Sequence, residues 1–141
     1  MTTDEYRLSI SMLASPSTPG LARTLTRARL HHWGDAHLVA DAHVVVSELV
    51  TNAINETPGK EILFRLTRDA TFVVVAVWDS SPRLPQARPA APPGSETLDL
   101  SPARWDDNGG WGLPIVAALS VDCGYKPDPR GGKWVWARLK P

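Results

Sequence analysis

The chain has 141 residues, 15 basic and 15 acidic side chains, and a single cysteine, Cys123. Balanced charge predicts no general attraction to nucleic acid or to an anionic membrane, and one cysteine excludes an internal disulfide and a cysteine-based zinc site. The longest apolar run, FVVVAVW, is too short to cross a bilayer, and the first ten residues do not have a signal-peptide pattern. We therefore expect one cytoplasmic domain over residues 1–141.

The first part of the chain predicts one strand followed by two helices. Residues 6–13 alternate apolar and polar side chains, which is typical of a strand, and SPSTPG then interrupts the pattern. Apolar residues at helical spacing predict a helix over 20–33 that ends at Gly34. Asp35 is the expected N-cap of a longer helix that runs to about Glu56.

The second part predicts four strands, one helix and a long loop. EILFRLT and FVVVAVWD, separated by a short turn, predict a hairpin, and we expect the second strand to be central because both of its faces are apolar. The proline-rich residues 80–108 lack periodicity, which is typical of a functional lid or a disordered segment. A helix is predicted in GGWGLPIVAALS, and two final strands in VDCGYKP and GGKWVWARL. This order predicts an α+β two-layer sandwich with a mixed, mostly antiparallel sheet.

The second helix carries a polar pair at the border of its apolar face. Glu48 and Asn52 are four residues apart and therefore lie on one stripe of the helix. A solvated helix edge is the ordinary interpretation of such a pair. The alternative is a cleft in which the amide oxygen binds Mg²⁺ and the carboxylate orients a nucleophile or accepts its proton. The pair alone does not decide between them.

Two further features indicate ligand contacts, although each also has a plain structural explanation. Asp79 ends the apolar strand, where a carboxylate either accepts a hydrogen bond from a ligand or serves an ordinary strand end. GGWGL, residues 109–113, lies where the loop becomes a helix. Glycines and free N–H groups there favour a phosphate, or they simply form a hinge. The pattern is not that of a P-loop.

Taken in order, SELVTNA, VWDSSPRLP, GGWGLPIV and GGKWVWARL resemble the ATP-binding domain shared by gyrase, heat-shock chaperones, histidine kinases and mismatch-repair ATPases. Within that superfamily the chain is most similar to the small single-domain anti-sigma-factor serine kinases of actinobacteria. The resemblance implies a Bergerat-type fold, bound ATP and Mg²⁺, and an ATP lid over about residues 80–109.

The resemblance also implies roles for individual residues. Asn52 would coordinate Mg²⁺, Glu48 would be the catalytic or water-orienting carboxylate, and Asp79 would receive the adenine amino group. The other nucleotide-binding positions that it implies are Ser81, Gly110, Gly112 and Leu113.

Three positions depart from the family pattern. Ser81 stands where a glycine is frequent, Asn55-Glu56 where a basic residue or histidine is common, and Trp134 where a threonine often supports the adenine site. These departures bear on nucleotide affinity and phosphoryl transfer more than on the fold.

Charged and histidine residues outside this pattern have simpler explanations. Lys133 and Arg130 either reach phosphates or are solvated charges of a turn, and we expect the latter. The four histidines straddle a helix break without supporting ligands, so we expect no metal site from them.

The function implied is that of an ATP-dependent serine/threonine protein kinase. It would phosphorylate an antagonist protein and sequester a sigma factor, as a possible homodimer, without contacting nucleic acid or membrane. Two alternatives remain open: a nucleotide-binding or degenerate protein-interaction module, and an ATPase component of a signalling complex that phosphorylates nothing.

Overall fold

Five strands form one sheet in the order β1-β2-β3-β5-β4, and every neighbouring pair is antiparallel. The computed structural model describes residues 5–83 and 113–141. The strands are β1 (Arg7–Leu13), β2 (Glu61–Arg68), β3 (Val73–Asp79), β4 (Asp122–Pro127) and β5 (Lys133–Leu139). The α+β sandwich and the central position of β3 are confirmed, and the described sheet is wholly antiparallel rather than mixed.

Helices cover one face of this sheet. They are α1 (Thr18–His32), α2 (Val39–Glu56) and α3 (Leu113–Leu119), with a 3₁₀ turn at Ala36–Leu38 before α2. The α1 helix packs against α2, and α2 packs against β3. Within residues 5–83 and 113–141, no helix is both long enough and apolar enough to span a membrane.

The break between α1 and α2 follows the prediction only in part. Gly34 ends α1 as expected, with a φ of 81° that favours glycine. Asp35, however, does not cap α2, and its side chain makes no capping hydrogen bond. Its buried carboxylate instead accepts a hydrogen bond of 2.6 Å from Nε of Arg68, at the end of β2. A charged guanidinium group stabilises a buried carboxylate better than the backbone N–H of a helix cap would. The chain therefore enters α2 through the 3₁₀ turn, without a cap from Asp35.

Side chains along each strand point alternately to the two faces of the sheet, and the two faces differ in burial. On β5 the odd-numbered residues are buried beneath the helices, while the even-numbered ones are only half-buried on the other face. The helix side holds the apolar core, including Phe64, Val75 and Leu139. The opposite side, which we call the open face, carries Trp78, Trp134 and Trp136. The tryptophans of the predicted strands therefore lie on the sheet surface.

Candidate functional site

One stripe of α2 carries three polar side chains at intervals of four residues: Glu48, Asn52 and Glu56. Glu48 is half-buried, whereas Asn52 is 5% exposed and the Glu56 side chain is 5% exposed. Successive members of such a stripe are about 6 Å apart along the helix. The apolar residues that fix α2 on the sheet, and with it the orientation of the stripe, are Val45, Val46, Leu49, Val50 and Ala53.

Opposite the C-terminal end of this stripe lies a buried ion pair between two strands. Asp79 ends β3 and is the register partner of Lys133, the first residue of β5. Nζ of Lys133 donates to Oδ1 of Asp79 at 2.9 Å and to Oδ2 at 3.1 Å. Lys133 is 0% exposed and Asp79 is 2% exposed. The expectation of a solvated turn charge at Lys133 is therefore wrong, although Arg130 does fit it, with an 89% exposed side chain.

The turn before β5 requires glycine for this pairing to form. Gly132 has a φ of 76°, and a Cβ there would lie 2.2 Å from the backbone oxygen of Asp79. The adjacent Gly131 accepts a hydrogen bond of 3.0 Å from Nε1 of Trp78. The close approach of the turn to the end of β3 thus brings Lys133 alongside Asp79.

Glu56 connects the helical stripe to the ion pair. Its Oε1 lies 3.8 Å from Nζ of Lys133, and its Oε2 accepts a hydrogen bond of 2.5 Å from Nη2 of Arg83. Arg83 follows β3 closely in the chain, and its backbone N–H donates to Oγ of Ser81 at 3.1 Å. The backbone N–H of Ser81 in turn donates to Oδ1 of Asp79 at 3.0 Å. Two acidic and two basic side chains therefore form one connected network.

The pKa values of the two carboxyl groups in this network are shifted in opposite directions. Burial raises the pKa of Asp79, and the hydrogen bond and charge of Lys133 offset only part of that effect. Burial also acts to raise the pKa of Glu56, but hydrogen bonds from Arg83 and Ser81 and the charge of Lys133 outweigh it. The pKa of Glu56 is therefore lowered. The network therefore favours the ionised form of Glu56, whereas burial favours the protonated form of Asp79.

The family resemblance assigned Trp134 to the position of a threonine that supports the adenine site, but the structure places this side chain elsewhere. It follows Lys133 on β5 and so points to the open face, where its register partner is Trp78. A shift of one residue along a strand moves a side chain to the other face. The residue beside Asp79 is therefore Lys133, and Trp134 cannot support an adenine site there.

The sequence interpretation missed three members of the network: Lys133, Glu56 and Arg83. The alternation of GGKWVWARL carried a usable signal for Lys133, because this residue shares its face with buried Val135 and Ala137. No comparable sequence signal indicated that Glu56 and Arg83 would meet, since they are 27 positions apart and belong to different elements.

Asn52 has the property expected of a ligand-facing amide. Its side chain is buried, and its Nδ2 has no hydrogen-bond partner in the part of the chain that the structure describes. A buried amide group without a partner is costly, and its nitrogen and oxygen ends are interchangeable by rotation. Such a group fits a phosphate oxygen through its nitrogen or Mg²⁺ through its oxygen.

The remaining predicted positions lie in or near the segment between residues 83 and 113. Leu113 is the first residue of α3, Ser81 belongs to the network, and Gly110 and Gly112 lie outside the described residues, as does most of the predicted lid. Among residues 5–83 and 113–141 there is no cluster of three or more potential metal-binding His, Cys, Asp or Glu side chains. A single Asn ligand beside substrate phosphates would not form such a cluster.

Comparison with protein families gives a match to the histidine kinase-like ATPase domain over residues 14–139. The chain belongs to this family. Membership supports ATP binding in a regulatory role, and Mg²⁺ is typical of such domains. The antiparallel sheet covered by helices on one face agrees with the family fold. A search of curated proteins found no matching relative.

Proposed function

We propose that this histidine kinase-like ATPase domain is an ATP-dependent serine/threonine protein kinase of the anti-sigma type. It transfers the terminal phosphoryl group of ATP to a serine of an antagonist protein, and it sequesters a sigma factor in the cytoplasm. The observation that carries the proposal is the stripe of Glu48, Asn52 and Glu56, which leads to the buried Asp79–Lys133 pair.

Each residue has a task that its position supports. Asp79 accepts a hydrogen bond from the adenine amino group, while Lys133 and the N–H of Ser81 hold its carboxylate in place. Asn52, whose Nδ2 has no partner among the described residues, supplies the amide that holds the phosphates or their Mg²⁺. Mg²⁺ supplies charge neutralisation at the phosphates when bound. Glu48, one helical turn before Asn52, orients the attacking hydroxyl and accepts its proton.

The experiment has two stages, binding and transfer. Titration with ATP and Mg²⁺ should show saturable binding that Asn52→Ala weakens. Transfer of a radiolabelled terminal phosphate to purified products of neighbouring genes should then be lost in Glu48→Gln, while ATP binding is retained. Asp41→Asn is the matched control, because Asp41 is an exposed carboxylate in the first turn of the same helix. Equal transfer by Glu48→Gln and the wild-type protein would exclude Glu48 as the catalytic carboxylate.

A second candidate function is a nucleotide-binding interaction module without phosphoryl transfer. Two observations favour it: Lys133 engages both carboxylate oxygens of Asp79, and Asn55-Glu56 lacks the basic residue common in the family. This module would bind ATP yet phosphorylate none of the neighbouring gene products. ADP release without any protein substrate would instead identify an ATPase component of a signalling complex.

A further inference from the structure

The open face of the sheet carries a groove of about 500 Å³. Half-buried Val74 and buried Ala76 lie on its floor, and the rings of Trp134 and Trp136 line one side. Its basic lining residues come from three different strands: Arg7 from β1, Arg65 from β2 and Lys126 from β4. The groove therefore combines an apolar floor with a basic rim.

The positive charge of this groove is only partly balanced. Among the residues that the structure describes, Asp128 is the single acidic lining residue of the groove. Its carboxylate already accepts hydrogen bonds from Nε1 of Trp134 at 3.1 Å and the backbone N–H of Arg130 at 2.8 Å. Three cations and one carboxylate leave an excess of positive charge. An anionic group that enters the groove would meet complementary charge.

Arg65 gives the most specific indication of a missing partner. Its guanidinium carbon lies 4.5 Å from the ring centre of Trp134, which fixes the side chain over the groove. Its Nε is buried and makes no hydrogen bond within residues 5–83 and 113–141. Burial, together with the charge of Arg7, lowers the pKa of Arg65. A carboxylate beside the two guanidinium groups would pair with both cations and reduce their repulsion.

We propose that this groove is a docking site for an acidic segment of a partner protein. Its Asp or Glu carboxylates bind Arg7, Arg65 and Lys126, and a neighbouring apolar side chain packs on Ala76 between the tryptophans. In an extended segment, acidic and apolar residues two positions apart lie on the same face, so both can reach the groove at the spacing of a sheet surface.

The same residues favour a protein segment over single-stranded nucleic acid. Base recognition on a sheet uses uncovered aromatic faces. Here Arg65 lies over Trp134, and Arg138 lies over Trp136 at 5.4 Å from the ring centre. The groove is on the side of the sheet opposite Asp79 and α2, so the proposal stands independently of nucleotide binding.

A phage-displayed library of random short peptides provides the test. Peptides are selected on the full-length wild-type protein and counter-selected on the Arg7→Ser/Arg65→Gln double variant. The expected result is enrichment of acidic residues two positions from an apolar residue. A labelled synthetic copy of the most enriched peptide should then lose affinity by about tenfold or more in fluorescence anisotropy when Arg65 becomes Gln, or when its own Asp and Glu become Asn and Gln.

Matched controls separate this result from general effects. Arg27→Ser removes an exposed arginine of α1 and should leave peptide affinity unchanged, and the double variant should retain wild-type ATP affinity. Lys126→Ser alters an exposed side chain and tests the same groove if the double variant does not fold.

Four outcomes would overturn the proposal. They are no enrichment, enrichment of neutral or basic peptides, an Arg65-dependent affinity for a single-stranded oligonucleotide greater than that for the peptide, and a wild-type dimer in sedimentation that Arg65→Gln dissociates. The last would assign the groove to a second copy of the chain.

Discussion

On the helix-covered face, Lys133 is held between Asp79 and Glu56, whereas on the open face Arg7 and Arg65 lie close together with few acidic neighbours. The difference follows from solvent. Beneath the helices an unpaired charge would be strongly destabilising, and Lys133, Asp79 and Glu56 are paired there. On the open face water screens the excess charge, and a cation without a carboxylate is tolerated. Charge on the two faces therefore has different consequences for stability and for recognition.

The largest expected effect comes from Lys133→Met. It removes one partner of a buried pair and leaves Asp79 without its main compensating charge, so the free energy of unfolding should fall by about 3–5 kcal/mol. Urea denaturation measures this change. The control is Lys126→Met on the open face, which should stay within about 0.5 kcal/mol of wild type. Equal midpoints for the two variants would contradict the contrast between the faces.

Gly132→Ala should have the next largest effect. Its φ of 76° is unfavourable for alanine, and the new Cβ would collide with the backbone oxygen of Asp79. We expect a loss of about 1–3 kcal/mol by thermal denaturation. Gly20→Ala in α1 is the control, because the nearest atom to its Cβ would be 3.7 Å away and alanine favours a helix. A Gly132→Ala protein as stable as wild type would show that the turn can move without loss.

Two aspartates, one on each face, should titrate in opposite directions from the ordinary value of 3.8. Burial raises the pKa of Asp79, while hydrogen bonds, first that from the backbone N–H of Arg130, lower the pKa of Asp128. Carboxyl-carbon NMR shifts recorded against pH measure both values. The order should be Asp79 above Asp128.

The consequences for stability follow from the sign of each shift. Asp128 contributes stability above its unfolded pKa, and the contribution is lost as pH falls through its lower folded pKa. Asp79 behaves oppositely, because burial favours its protonated form. Its contribution to stability is present below the unfolded pKa and is lost as pH rises through its raised folded pKa. An Asp79 pKa below that of Asp128 would refute the assignment of burial as the dominant influence at Asp79.

The smallest expected effect is that of Arg65→Met. Loss of the contact with Trp134 costs about 0.5–1 kcal/mol, and relief of the repulsion from Arg7 offsets part of it. The unfolding free energy should therefore change by less than about 1 kcal/mol. A much larger loss in urea denaturation would mean that the open-face charges are structural rather than available for a partner.

Much of the fold was predictable because its signals are local. Periodicity located the strands and helices, and the glycine after α1 marked its end at Gly34. The two-faced apolar pattern of residues 72–78 placed β3 at the centre of the sheet. The failure at Asp35 has a long-range cause, since its partner Arg68 is 33 positions away.

The candidate site was less accessible from the sequence. The positions of Glu48 and Asn52 on one stripe follow from helical spacing alone, and their proposed roles still await the experiments above. The partners of Asp79 and Glu56 depend on the register of β5 against β3 and on the path of the chain after β3, which no local pattern specifies. Alternation places Lys133 on the face of Val135 and Ala137, but it does not show that Asp79 is the partner of Lys133.

The turn between β4 and β5 is closed by the Asp128 N–H, which donates to the Gly132 carbonyl at 3.0 Å, so its length sets which side chains of β5 face each way. Adding or removing one residue there would turn the whole strand over. Lys133 would then exchange places with Trp134, and both surfaces would change in a single step. Homologous chains should therefore keep the length of this short connection and its glycine at position 132, while the other positions vary.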